Sequence, residues 1–274
     1  MARQDEAMPY LPPTAEAGLA RKASRVFHRL RLASWLDRKE SQIRRVGERI
    51  GWPQAWLKEF AEYRKDPRLS LEEFFYFYCQ LRQTDGPKLD AVKDESEARA
   101  FYAESEYPLY RQIVHRRHSA WRRVLWTMRG TQGMLMEFGS GIAPVSAWCS
   151  KRKPEWFYVL HDFASPHRTF GMERLSPTRN LVQQDMTLLK CYGHADVITA
   201  LDTLEHVPDP LTMAQEIVER LRPDGVCHWN FIETDHTGLD LASASQRRQT
   251  LDYLDSALRL VYRNGDYRVS RKVE

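Results

Sequence analysis

The sequence predicts an α/β fold in which a helical N-terminal region precedes a mostly parallel sheet of seven strands. The main observation is a change of pattern near Gly130, where helical periodicity gives way to short β-rich runs that alternate with helical stretches. The second is the pair Asn264-Gly265 between the last two β-rich runs, which is typical of an antiparallel hairpin. We therefore divide the chain into a helical region, residues 1–130, and a sheet domain, residues 131–274.

Helical signals fill the N-terminal region. Apolar residues recur at three- and four-residue spacing from Thr14 to Ile50, and Pro53 is suited to start a short helix. Ser70 and Glu73 have the spacing of a capping box, and the aromatic run Phe74–Tyr78 that follows is predicted to be buried. Because these helices carry aromatic surface without a sheet of their own, we expect the region to cover the sheet domain as a lid.

Seven β-rich runs give the expected strands of the sheet. The helical stretches between the first five predict parallel strands joined by crossover helices. Ligands of such sheets bind at the carboxyl ends of the strands, so the residues that follow each run are candidates for a functional site. The runs are Met134–Phe138, Trp156–His161, Leu181–Gln184, Val197–Leu201, Val226–Ile232, Leu258–Arg263 and Tyr267–Lys272.

Composition restricts the classes of function. A hydrophobic content of 42% in 274 residues is typical of globular proteins. The first residues lack the apolar stretch of a signal peptide, and no apolar run approaches the ~20 residues that span a bilayer, so we expect a cytoplasmic protein without a membrane partner. The net charge is +4 with basic residues interspersed among acids, which does not favour nucleic acid as a partner. The four cysteines lie far apart without a CxxC pair, which predicts reduced thiols and no metal site.

The segment Met134–Trp148 (MLMEFGSGIAPVSAW) has the strand, glycine turn and helix of a nucleotide-binding site. Gly139 and Gly141 allow a tight turn and let a ligand approach the backbone. A dinucleotide fingerprint would have glycine at the position of Pro144. Proline suits the first turn of a helix but removes a backbone donor that a pyrophosphate would use, so the turn favours a nucleoside ligand without phosphate.

Further segments complete a recognisable pattern. Asp162 follows the second strand, Asp185 the third, and LDTLEHVPDP (Leu201–Pro210) ends the fourth. Together with EFGSG (Glu137–Gly141), these segments resemble, in order and spacing, motifs I to IV of the class I S-adenosylmethionine (SAM) dependent methyltransferases. The chain also resembles a subgroup with a GxxPVS sequence after the first glycine and a YPLYR-like helix, here Tyr107–Arg111, before the sheet. The resemblance covers about residues 134–272 and implies a Rossmann-like fold with SAM as cofactor.

The resemblance also implies contacts with the cofactor. Asp162 would hold the ribose, and Asp185 with Met186 the adenine. Two departures are Ala143 in place of a third small glycine and the lack of an N-P-P-[YF] motif after the fourth strand, which disfavours amino methylation of nucleic-acid bases. The residues expected to hold the methionine part are Glu137, Gly139 and Gly141, and the full predicted cofactor-binding set is Glu137, Gly139, Ser140, Gly141, Asp162, Asp185, Met186 and Asp202.

Catalytic and substrate-binding residues are predicted from two places. The loops after the fourth and fifth strands carry histidines that are suited to remove a proton from an acceptor. The helix before the sheet carries tyrosines, with Tyr102 just upstream, whose ring faces are suited to cradle a sulfonium by cation–π attraction. The predicted catalytic residues are His206, Tyr107, Tyr110 and His236, and the predicted substrate-binding residues are Arg111, His115 and Asp235.

These features predict SAM-dependent methyl transfer to a small molecule, such as a secondary metabolite or a sugar-type substrate, because a large lid indicates an enclosed pocket. Two alternatives stay open at this point. The sulfonium also activates the γ-carbon of the aminobutyrate chain, so aminocarboxypropyl transfer or cyclisation to azetidine-2-carboxylate would release methylthioadenosine. The chain could also be a non-catalytic partner subunit with this fold.

Overall fold

A computed structural model describes residues 54–114, 118–178, 180–184, 193–231 and 241–273. The chain divides into two compact units, Met1–Gln83 and Thr84–Glu274. The second unit begins well before Gly130, so the helices that directly precede the sheet belong to the same unit as the sheet. The helices predicted between residues 14 and 50 lie outside the described residues.

The described part of the first unit contains the helices α1 (Gln54–Tyr63) and most of α2 (Leu71–Thr84). The predicted capping box at the start of α2 is present: the N–H of Glu73 donates to Oγ of Ser70 at 3.2 Å, and the N–H of Ser70 donates to Oε2 of Glu73 at 3.0 Å. The aromatic run that follows is largely buried, with the ring of Phe74 edge-on to that of Phe60 at 5.3 Å. These aromatic residues therefore form core, as the sequence predicts.

Before the sheet, the described residues of the second unit form four short helices: α3 (Gly86–Asp90), α4 (Glu95–Glu104), α5 (Tyr107–Val114) and α6 (His118–Thr127). Asp94 caps α4, because its side chain accepts a hydrogen bond from the N–H of Glu97. Among the described residues, no helix is both long enough and apolar enough to cross a membrane.

The sheet has the order β3-β2-β1-β4-β5-β7-β6. Strands β1 to β5 are parallel, whereas β7 is antiparallel to both β5 and β6. The predicted Rossmann-like class, with a mostly parallel sheet and an antiparallel C-terminal hairpin, is therefore confirmed. The strands are β1 (Met134–Phe138), β2 (Phe157–His161), β3 (Leu181–Gln184), β4 (Ala195–Ala200), β5 (Leu221–Asn230), β6 (Leu258–Asn264) and β7 (Tyr267–Lys272).

Helices connect and cover the parallel strands. Proline stands at the first position of three of them, where its missing N–H removes no helical bond. Helix α8 packs against α4, α5 and α7, and α6 packs against α7 and the central strands. The helices are α7 (Pro144–Ser150), α8 (Pro166–Leu175), α9 (Pro210–Arg220) and α10 (Ala244–Ala257), with a 3₁₀ turn at Leu204–His206.

Two local predictions need correction. The hairpin turn has Gly265 and Asp266 at its centre, because Asn264 is already paired with Tyr267. Only the first central residue, Gly265, has a positive φ of 60°, which is the pattern of a type II′ turn. Strand β5 begins at Leu221 rather than at the predicted Val226. Its first residues include the exposed Arg222, Pro223 and Asp224 before a buried Gly225, and the Arg-Pro-Asp-Gly sequence is typical of a turn.

The core of the sheet unit is formed by apolar side chains of β1, β4, β5 and the helices α9 and α10. Cys149 and Cys227 are buried free thiols, and Cys191 lies outside the described residues. The reversal of strand order falls between β1 and β4, and this switch point is where open α/β sheets bind ligands.

Candidate active site

A cavity of about 200 Å³ lies at the switch point, at the carboxyl ends of β1 and β4. We call its two sides the sheet wall and the helix wall. The sheet wall includes Glu137, Phe138, Gly139, Ser140, Ile142, Thr199, Leu201, Asp202 and His206. The helix wall consists of Leu89, Tyr102, Pro108, Arg111, Gln112 and Trp121.

The glycine turn after β1 has an unusual backbone. Gly139 and Gly141 have positive φ angles of 60° and 48°, and Ala143 adopts the left-handed conformation with φ 50° despite its Cβ. Gly171 on α8 allows close packing behind the turn, since a Cβ there would lie 2.7 Å from the carbonyl oxygen of Gly141. The sequence reading missed Gly171, because the contact depends on how α8 packs.

Glu137 caps the helix that follows the turn. Its Oε1 accepts the N–H of Val145 at 3.1 Å and its Oε2 accepts the N–H of Ser146 at 2.8 Å. Burial raises the pKa of Glu137 to about 7, against the opposing effect of these hydrogen bonds. Because Pro144 has no N–H and Glu137 occupies the next two donors, a pyrophosphate would lose the contacts that a dinucleotide site offers.

Asp162 holds the glycine turn against the end of β2. Its Oδ2 accepts the N–H of Gly141 at 2.5 Å, and its Oδ1 accepts the N–H of Phe163 at 2.6 Å. Nε2 of His167 lies 4.0 Å from Oδ1, and the Asp162 side chain is 10% exposed. Asp162 is not among the residues that line the cavity, so its predicted contact with a ribose stays a prediction.

Asp202 lies at the end of β4 in the left-handed conformation, with φ 52°. Its N–H donates to Oδ1 of Asn230 at 2.6 Å, and Nδ2 of Asn230 donates back to Oδ1 of Asp202 at 2.5 Å. Asn230 is fully buried at the end of β5. This two-bond contact fixes a strained residue at the cavity. The sequence reading missed Asn230, although a polar residue at the end of an apolar strand is a usable signal.

Two buried hydroxyl groups of the sheet wall indicate which kind of ligand suits the site. Ser140 and Thr199 are both 1% exposed, and their hydroxyl oxygens have no hydrogen-bond partner within the described ranges. Buried hydroxyls without partners are costly, so they favour a ligand that donates or accepts hydrogen bonds. The wall therefore fits a ligand with amino and hydroxyl groups, such as SAM.

The helix wall differs in part from the prediction. Arg111 lines the cavity as expected, and so does His206 on the opposite wall. Tyr107 and Tyr110 are buried in α5 and do not line it. Pro108 and Gln112, which line the cavity, are four residues apart on one face of α5, and Tyr110 lies on the opposite side of the helix. The catalytic roles predicted for Tyr107 and Tyr110 stay predictions.

Tyr102 of α4 is a tyrosine that lines the cavity. Its ring lies 5.1 Å from the ring of His167 and 6.5 Å from that of Phe163. Burial, together with the nearby charge of Asp162, raises the pKa of Tyr102, so its hydroxyl stays protonated and can donate a hydrogen bond. The predicted site residues His115, Asp185, Met186, Asp235 and His236 lie outside the described residues.

The strand order, the glycine turn without phosphate donors and the cavity at the switch point define a Rossmann-like enzyme with a nucleoside cofactor. Residues 110–262 match the methyltransferase domain family, and the chain belongs to that family. It is therefore a SAM-dependent transferase, and the predicted class and cofactor are confirmed.

Solved structures of methyltransferases are similar to this chain. An O-methyltransferase family protein from Burkholderia thailandensis has 13% identity and a TM-score of 0.49, with 74% of this chain and 71% of that chain covered. The N-methyltransferase NodS from Bradyrhizobium japonicum, in complex with S-adenosylhomocysteine, has 16% identity and a TM-score of 0.45, with 61% and 89% covered. Comparison with curated proteins gives no match.

Proposed function

We propose that this protein transfers the methyl group of SAM to a small-molecule acceptor, such as a secondary metabolite or a sugar-type compound. The observation that supports this proposal most directly is that helices α3 to α6 supply a second wall to the cavity at the switch point. A site between a sheet and a covering layer of helices suits a small acceptor better than the flat surface of a macromolecule.

The residues that would hold SAM lie on the sheet wall. Ser140 and Thr199 offer hydroxyl groups, and Glu137, which also caps α7, offers a carboxyl group to an ammonium. When bound, SAM supplies a sulfonium that activates the carbon atoms attached to it. The protein then has to position an acceptor and accept its proton.

The helix wall and the 3₁₀ turn would act on the acceptor. His206 is the proposed general base, because it lines the cavity and an imidazole accepts protons near neutral pH. Arg111 lines the same cavity and is exposed, which suits contact with an anionic or polar group of the acceptor. Tyr102 would orient the acceptor through its protonated hydroxyl.

The size of the cavity favours a second candidate reaction. Among the described residues the cavity measures about 200 Å³, below the ~300–1,000 Å³ of typical ligand sites, which favours a reaction of SAM without a second substrate. Cyclisation needs no acceptor: the α-amino nitrogen bonds to the γ-carbon, the carbon–sulfur bond breaks with its electron pair on sulfur, and the amine loses a proton. The products are azetidine-2-carboxylate and methylthioadenosine.

Product analysis after incubation with SAM alone separates the two reactions. If the proposal is correct, SAM persists, and S-adenosylhomocysteine forms only after an acceptor is added. Cyclisation would instead release methylthioadenosine at a rate linear in enzyme, and that rate would rise with pH toward the pKa of the amine. If calorimetry and thermal shift detect no binding of SAM or S-adenosylhomocysteine, both reactions are wrong for this protein.

A further inference from the structure

The side-chain amide of Gln112 lies directly on the glycine turn. Its Oε1 accepts a hydrogen bond from the N–H of Ile142 at 2.9 Å. A Cβ atom on Gly141 would clash with Oε1 and Nε2 of Gln112 and would lie 2.6 Å from its Cδ. The amide of Gln112 therefore fills the space that a ligand would need in order to approach the backbone at Gly141.

The bond from Gln112 differs from the neighbouring bonds of the turn. The N–H of Ser140 donates to the carbonyl of His161 at 3.1 Å, and the N–H of Gly141 donates to Asp162. Both of these acceptors are fixed at the end of β2. Gln112 instead reaches the turn from α5 through a flexible side chain, so its bond can be exchanged without moving a strand.

We propose that Gln112 is a surrogate ligand, which occupies the glycine turn until the aminobutyrate arm of the cofactor replaces it. This inference rests on the proposed function, because it requires SAM to bind at the turn. The carboxylate of the arm is a stronger acceptor for the N–H of Ile142 than a neutral amide oxygen is. The amide of Gln112 and the carboxylate of the arm cannot both lie over Gly141. Binding of SAM therefore breaks the hydrogen bond between Gln112 and Ile142, and this loss lowers the affinity for SAM.

Calorimetry with two ligands tests this competition. S-adenosylhomocysteine carries the aminobutyrate arm, whereas 5′-methylthioadenosine has the same nucleoside without it. Gln112→Ala removes the competing amide and should bind S-adenosylhomocysteine tighter, by about 3- to 10-fold for one net hydrogen bond. Gln112→Glu places a charged acceptor at the turn and should bind S-adenosylhomocysteine more weakly, by a similar factor. Neither variant should change the affinity for methylthioadenosine by more than about twofold.

Gln112→Asn is a second shortened variant, which keeps the test valid if Gln112→Ala does not fold correctly. Its side chain is one methylene shorter and cannot reach Ile142 from the same helix position, so it should behave as Gln112→Ala does. Unchanged or weaker binding of S-adenosylhomocysteine by both shortened variants overturns the proposal. Parallel changes for the two ligands also overturn it, because they indicate a general packing effect. If the wild-type protein binds neither ligand, the proposed function itself is wrong.

Discussion

Different forces hold the two walls of the cavity. On the sheet wall and the adjoining Gly141, positive φ angles and hydrogen bonds fix the backbone. The N–H of Gly141 donates to Asp162, and the N–H of Asp202 donates to Asn230. The helix wall is held by packing of side chains instead. One example is the contact between the rings of Trp121 and Trp148, whose centroids are 6.3 Å apart. The comparison teaches that changes in the sheet wall should affect stability and binding together. Changes in the helix wall should affect turnover with a smaller loss of stability.

The largest effect is expected from Gly139→Ala in the sheet wall. The residue has φ +60°, and an added Cβ would clash with Oγ1 and lie 2.6 Å from Cγ2 of Thr203. The strained backbone and the overpacking together should lower the free energy of unfolding by about 2–5 kcal/mol and weaken SAM binding. Urea denaturation and calorimetry measure the two quantities.

Gly265→Ala is the matched control for that experiment. Gly265 also has φ +60°, but a Cβ there would meet no atom within 4 Å. It should therefore show only the conformational cost, about 1–2 kcal/mol, with unchanged SAM affinity. If both variants lose the same stability and keep the same affinity, the sheet wall is not fixed by the contact with Thr203.

A second effect of similar size concerns the charge of Glu137. Burial raises its pKa from about 4.5 to about 7, so the folded state keeps a proton that the unfolded state releases. This contribution to stability is complete below pH 4.5 and is lost as the pH rises through 7. The loss approaches ~3 kcal/mol over that interval.

The variant Glu137→Gln has a neutral amide at this position, which does not ionise between pH 4.5 and 7.5. Urea unfolding between pH 4.5 and 7.5 should therefore show the variant gaining stability relative to the wild type as the pH rises. Buried His228 acts in the opposite sense, because burial lowers its pKa to about 3 and its contribution is lost as the pH falls below 6.5. Both proteins share His228, so the difference between their curves isolates Glu137. If the stability curves of Glu137→Gln and the wild type stay parallel over this pH range, Glu137 is not the group responsible. Glu155 is exposed, and Glu155→Gln is the control, which should give a curve parallel to that of the wild type.

The sheet wall could be predicted largely from the sequence, and the helix wall could not. Glycines, a strand-ending acid and the LEH segment occur at fixed offsets from apolar runs, so Glu137, Gly139, Asp202 and His206 were found. Thr199 could have been added, because it stands directly opposite Glu137 in the register of β1 and β4.

The helix wall depends on which face of each helix meets the sheet, and no motif marks that face. The sequence reading chose Tyr107 and Tyr110 by residue type and missed Gln112 and Trp121. The helical repeat groups Gln112 with Pro108 on the side opposite Tyr110, and it groups Arg111 with Tyr107. Which of the two faces meets the cavity is decided by the packing of α5 against α8.

Tyr102→Phe tests the helix wall and has the smallest expected effect. The variant keeps the ring beside His167 and removes only the hydroxyl, so the free energy of unfolding should change by less than about 1 kcal/mol. The rate at which the enzyme forms its product from SAM should fall about 3- to 10-fold, which corresponds to the loss of one hydrogen bond to the reacting molecules. Tyr253→Phe on α10, away from the cavity, is the control and should keep the wild-type rate. If Tyr107→Phe or Tyr110→Phe loses more activity than Tyr102→Phe, then the tyrosines of α5 act on the substrate. In that case the catalytic roles predicted for Tyr107 and Tyr110 are correct.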